Sequence, residues 1–104
     1  MSTETGIMRD ILMAVNQIPD ALFWRVNVGL ATAPDGRKTR YGLPGQADIT
    51  GVLRGRHVEI EVKTPTGRQS RQQIRWQRAV ERAGGTYVLA RSVDEALSAL
   101  EALP

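Results

Sequence analysis

Asp48, Glu61 and Lys63 are the residues of this chain whose types and spacing could do chemistry together. They lie in GQADITGVLRGRHVEIEVK, residues 45–63. Within it His57, Glu59, Glu61 and Lys63 alternate with Val58, Ile60 and Val62. A period of two is that of a strand, so Glu61 and Lys63 share a face about 7 Å apart. Arg54-Gly55 reads as a two-residue hairpin turn with glycine supplying positive φ. Residue 53 then pairs with 56, and Asp48 falls opposite Glu61 with Cβ atoms about 4.5–5.5 Å apart. A slip of one residue would send these side chains to the other face.

Opposed carboxylates raise each other's pKa unless a cation lies between them. Hard divalent ions such as Mg²⁺ take oxygen ligands and keep several waters. Such an ion polarises a phosphoryl oxygen and makes a bound water more acidic. A lysine one step along the same face could hold or deprotonate that water, or offset charge in the transition state. The set is coherent for phosphodiester hydrolysis. The same alternation also describes an amphipathic hairpin with a solvated face; Asp48 at the facing position, preceded by Gly45, weighs toward a site.

The elements that must position these groups are legible in outline. Ser2 or Thr3 can cap a first helix in which Ile7, Met8, Ile11, Leu12, Val15 and Ile18 recur at helical spacing, ended by Pro19 and Asp20. Glu4 shares the inward face of that helix at its start. Residues 22–28 alternate, with Trp24, Val26 and Val28 on one side and Phe23, Arg25 and Asn27 on the other. ATAPDGRKTRYGLPG reads as an exposed loop or hairpin tip around Pro34-Asp35-Gly36. Strands are expected at 47–53 and 57–63. Ser70 can cap a helix to about Ala83, ended by Gly84-Gly85. TYVLA is a buried strand, and Ser92-Val93-Asp94-Glu95 is a capping box for a last helix. The order is α-β-β-β-α-β-α, a small mixed sheet flanked by helices, in one domain spanning residues 1–104.

Composition narrows the function classes. The chain has 104 residues, 41% hydrophobic and 24% charged, which suits one globular core. With no cysteine, disulfides, thiolate zinc sites and a cysteine nucleophile are excluded, and one histidine excludes a polyhistidine metal site. No apolar run reaches the ~20 residues of a membrane helix, and no signal-peptide core is visible, so a soluble cytoplasmic protein is expected. The formal charge is +3, with basic residues that are mostly arginine. Arginine's planar fork suits phosphate, and this balance is compatible with nucleic acid.

The combination of Gly45-Gln46-Ala47-Asp48, Glu61-Val62-Lys63 and Ser70-Arg71-Gln72-Gln73-Ile74-Arg75-Trp76 resembles the VRR-NUC domain, a branch of the PD-(D/E)xK nuclease superfamily. The likeness runs over nearly the whole chain, including Glu4 on the first helix and Arg25 and Asn27 on the first strand. Many members carry proline directly before the aspartate; here that position is Ala47. The resemblance implies a restriction-endonuclease-like α/β fold and a Mg²⁺- or Mn²⁺-dependent DNA endonuclease, in some cases selective for flaps or junctions. It implies Asp48, Glu61 and the backbone carbonyl of Val62 as metal ligands. Lys63 would be the catalytic lysine, Gln73 a residue reaching into the site, and Glu4 an outer acid. It also implies a symmetric homodimer in the cytoplasm of a bacterial or phage-infected cell.

Other candidates remain open at this level. Gln77 lies one turn from Gln73, although the spacing to Ser70 and Trp76 favours Gln73. Arg25, Asn27, Arg37, Lys38 and Arg40 are the candidates for substrate phosphates, each a salt-sensitive contact, and Tyr41 could stack on a base. Arg71, Arg75, Arg78 and Arg82 form a stripe away from Gln73. His57 reads as an exposed strand end, Glu59 as an accessory ligand ranked below Asp48 and Glu61, and Trp24 and Trp76 as core. The substrate could be RNA instead of DNA. The alternative function is a non-cleaving DNA-binding module that docks in a phage replication or recombination complex.

Overall fold

Two helices on one face of a four-stranded sheet and one helix on the other carry the core. A computed structural model describes residues 3–27 and 29–104. The elements in order are α1 (Glu4–Val15), β1 (Ala21–Arg25), β2 (Gly29–Thr32), β3 (Lys38–Tyr41), β4 (Ile49–Leu53), β5 (Arg56–Val62), α2 (Arg71–Arg82), β6 (Thr86–Ala90) and α3 (Val93–Glu101). The main sheet runs β1-β4-β5-β6, antiparallel except for the parallel β5/β6 pair. It is the mixed sheet expected. The order differs: β2 and β3 form a separate two-stranded sheet, a hairpin whose tip falls in the stretch read as an exposed loop or hairpin tip.

The β4–β5 hairpin has the anticipated register. Leu53 pairs with Arg56 and Ile49 with Ile60. Arg54 and Gly55 both have positive φ, 48° and 82°, the requirement of a two-residue I′ turn. Along β5 the even residues Val58, Ile60 and Val62 join one core with Ile7, Met8, Ile11 and Val15 of α1 and Ala96 and Leu100 of α3. Fully burying such a side chain contributes about 1.5–3 kcal/mol. The odd residues face α2, where Val80 and Trp76 pack with Ala47 and Tyr87 in a second, smaller cluster.

Thr3 caps α1 through its side chain, accepting from the Gly6 amide; Ser2, the other candidate cap, lies outside the described residues. The helix stops at Val15 rather than running to Ile18. Asn16 is the reason: its amide donates to Leu12 O and Phe23 O while its Oδ1 accepts from Phe23 N. One side chain thus closes the helix and satisfies both backbone groups of an edge-strand residue.

Trp24 is not core. It is 46% exposed, beside Leu22 and Val52, because α2 covers the β5 and β6 side of its face and not β1. Phe23, pointing the other way, is buried on Gly51. Val28, expected to share the Trp24 face, lies outside the described residues. Trp76 does pack inside, partly buried. No helix among the described residues is long and apolar enough to cross a membrane.

Candidate metal centre

The site forms where β4 begins, β5 ends, and the N-termini of α1 and α2 meet. Just before the paired part of β4, Asp48 sits at the position opposite Glu61. Its backbone oxygen accepts from Val26 N at 2.8 Å, which ties it to the end of β1. Its Oδ2 accepts from Val62 N, also at 2.8 Å. The carboxylate therefore takes the place of a ladder carbonyl, and its position is set by the backbone of the strand carrying Glu61. Carboxylate oxygens of Glu4, Asp48 and Glu61 all lie within 4.8 Å of one another. Glu4 is exposed, Asp48 half-buried and Glu61 buried.

Glu61 is 1% exposed. Its Oε2 accepts from Gln73 Nε2 at 2.9 Å and lies 3.3 Å from Lys63 Nζ. Its Oε1 has no partner. Burial raises the Glu61 pKa to about 7, the charges of Asp48 and Glu4 push the same way, and Lys63 opposes them. A buried carboxylate with an unmatched oxygen, crowded by other acids, is short of positive charge.

The neighbouring elements fix this arrangement. Ser70 caps α2, its Oγ accepting from Gln73 N, while Gln73 Oε1 accepts from Ser70 N. Gln73 is therefore the glutamine at the site. Gln77 instead accepts from Gln69, which also donates to the Tyr87 hydroxyl. Burial pushes the Tyr87 phenol up, so it stays neutral. The turn before Asp48 crosses the start of α2 at Gly45, whose φ is +81°. A side chain there would fall on the Gln72 carbonyl.

Glu59 stands apart from the acid cluster. Its Oε2 meets His57 Nε2 at 2.8 Å, and its Oε1 accepts from Trp76 Nε1 at 2.5 Å. Both oxygens are committed, so it is no accessory ligand. His57 is exposed, as expected, and serves Glu59.

A cleft of about 510 Å³ opens beside the cluster, lined by Glu4, Arg25, Asn27, Asp48 and Gln73 among others. Arg25 and Asn27 are thus brought to the site. Arg37, Lys38 and Arg40 are not; they lie on the β2–β3 hairpin and its tip. Arg71, Arg75, Arg78 and Arg82 are exposed. Gln46, Gln72 and Thr5 also line the cleft and were not foreseen. The adjacency of Gln46 to Gly45, and of Gln72 to Gln73, was the available signal.

Arg91 was missed as well. Its guanidinium donates from one nitrogen to Thr64 O at 2.7 Å and Gly67 O at 2.6 Å. It ties down the loop that leads from Lys63 to the Ser70 cap. A lone arginine after an apolar strand carries no sequence signal of that task.

No protein-family model matches this chain, and no curated protein matches it in sequence. The residues themselves fit a hard divalent cation. They offer carboxylate oxygens from Asp48, Glu61 and Glu4, and the buried Oε1 is an orphan that such an ion would satisfy.

Proposed function

We propose that this chain is a Mg²⁺- or Mn²⁺-dependent nuclease that hydrolyses DNA phosphodiesters, on a restriction-endonuclease-like fold similar to that of VRR-NUC domains. The observation that carries the reading is the cluster of Glu4, Asp48 and Glu61, in which the buried Glu61 has its Oε1 without a partner and its Oε2 3.3 Å from Lys63 Nζ. Asp48, Glu61 and the carbonyl of Val62 would hold the ion, with Glu4 supporting it from the cleft side. When bound, it supplies Lewis-acid stabilisation of the phosphoryl oxygens.

The chain's own groups supply the rest. Gln73 and Lys63 engage Glu61 Oε2 and leave the buried Oε1 without a partner from the protein. Lys63 places a cation next to the reacting phosphate, where negative charge builds in the transition state. Arg25 and Asn27 line the cleft and can hold a flanking phosphate. The overall reaction joins a water oxygen to phosphorus, breaks one P–O ester bond, and passes a proton to the departing oxygen.

The test is a cleavage assay on labelled single-strand, duplex, flap and four-way-junction DNA, with an RNA strand alongside, in Mg²⁺, Mn²⁺ or EDTA. Wild-type cutting that needs the metal and is lost in Asp48→Ala and Lys63→Ala supports the reading. Normal cutting by Lys63→Ala removes that residue from the chemistry. Intact binding with no cutting of any substrate would point to the docking-module alternative.

A further inference from the structure

The β2–β3 hairpin is an arm without a core beneath it. Every residue of Leu30–Thr32 and Lys38–Tyr41 is exposed, and Gly29 is half-buried. Gly29 is shielded by its own hairpin partner: a Cβ there would meet the Tyr41 hydroxyl at 2.7 Å. A two-stranded hairpin alone in water is marginal at best. Here the tip helps, since Pro34 and Gly36 shape a turn closed by the Gly36 N to Ala33 O bond, and Arg37 is paired with Asp35 at 2.7 Å.

The faces of the arm differ. Leu30 pairs with Arg40 and Thr32 with Lys38, and directly opposed residues share a face. One face therefore carries Leu30, Thr32, Lys38 and Arg40. The other carries Gly29, Ala31, Thr39 and Tyr41. Among the described residues Lys38 and Arg40 make no ion pair, in contrast to Arg37. Both roots of the arm lie at the cleft: Val26 and Asn27 precede it, Gly45 and Gln46 follow it, and all four line the cleft wall. A polymer held in the cleft would run within reach of the arm.

We propose that the arm is a duplex-DNA grip that lays its Leu30/Thr32/Lys38/Arg40 face into a groove next to the scissile site. The inference rests on the nuclease reading and deepens it, since it names double-stranded DNA as the substrate class. A two-stranded ribbon fits the major groove. The free cations match a polyanion. Strands of four residues reach on the order of 14 Å, more than the depth of that groove, about 8.5 Å.

The test measures binding of the full chain to a short duplex and to the matching single strand by fluorescence anisotropy, with EDTA present, over a range of salt. For Lys38→Glu/Arg40→Glu the expected result is a loss of at least about tenfold in duplex affinity and a salt slope lower by about 2. Single-strand binding should change much less, and the folded circular-dichroism spectrum should stay. Because the chain has no cysteine, Thr32→Cys and Ala31→Cys can each carry a photo-crosslinker, one on either face. Crosslinks to duplex bases are expected from position 32 and not from position 31. An unchanged salt slope, equal losses on single strand and duplex, or equal crosslinking from both faces would overturn the grip. So would a double variant that alters only self-association in light scattering. A chain that binds duplex through the arm yet never cuts would sink the nuclease reading alone; one that cuts with its binding untouched by the double variant would sink the arm alone.

Discussion

Gln73 donates to Glu61 Oε2 at 2.9 Å with the same amide whose oxygen accepts from Ser70 N at 2.8 Å. One side chain thus completes the capping box of α2 and orients the buried acid of the site. The helix start and the carboxylate are mechanically linked. Gln73→Ala removes both functions at once. It should cost about 1 kcal/mol of stability, as the loss of a cap does. It should also weaken Mn²⁺ binding, because Glu61 would lose the donor that fixes its geometry. Urea unfolding and calorimetric Mn²⁺ titration read the two effects separately. Unchanged Mn²⁺ affinity would leave Gln73 a cap and nothing more.

The pKa of Glu61 ties stability to pH. Its folded value lies near 7, above the ordinary 4.5. Between those values the folded chain binds more proton than the unfolded chain, so the slope of stability against pH is negative. The contribution is fully present below about pH 4.5 and is lost as pH rises through about 7. Wild-type protein in EDTA should be less stable at pH 8 than at pH 5 on account of this group, and Glu61→Gln should flatten that difference. Adding Mn²⁺ at pH 8 should restore stability to the wild type and not to the variant. Denaturant midpoints at the two pH values decide it, and a wild-type chain equally stable at both would contradict the assignment.

How much of this was readable beforehand depends on what each feature requires of the side chains. The Asp48–Glu61 pairing was legible because Arg54-Gly55 has few ways to turn and the alternation of β5 admits one register that buries Val58, Ile60 and Val62. The capping of α2 by Ser70 was legible for a similar local reason. The β2 and β3 strands were legible only as an exposed loop or hairpin tip, because neither buries a face, so no apolar alternation marks them. Trp24 misled for the opposite reason: its size suggests core, but burial depends on where α2 lies, and α2 stops short of β1. The end of α1 turned on Asn16 finding Phe23, a contact between elements that no local pattern announces.

Gly45 is a sharper case of such a contact. Its φ of +81° is in the left-handed region, and a Cβ there would fall on Gln72 O and lie 3.0 Å from Gln73 N. Gly45→Ala should therefore destabilise by at least about 2 kcal/mol, from backbone strain plus collision. It should also weaken Mn²⁺ binding by pushing the Asp48 strand away from α2. Gly36 has a similar φ, +88°, with nothing within 4 Å of its missing Cβ. Gly36→Ala should cost only the left-handed penalty, about 1–2 kcal/mol, and leave metal binding alone. Comparing the two variants by thermal melts and Mn²⁺ titration separates packing from conformation; equal effects would mean that the close approach at Gly45 is not what holds the site.

Glu59 is held away from the acid cluster by His57 and Trp76, and the indole is the partner that lies inside the protein. Trp76→Phe keeps most of the apolar volume and removes the donor to Glu59 Oε1. A buried acceptor left unmatched costs about 1–3 kcal/mol. The variant should lose that much stability while its metal affinity stays close to wild type, since Glu61 keeps both Gln73 and Lys63. His57→Ala removes the other partner, an imidazole that is half exposed, and opens that side of Glu59 to water, so it should cost less. Urea denaturation of the two variants orders the effects. A larger loss from His57→Ala would mean that the imidazole, and not the indole, is what keeps Glu59 in place.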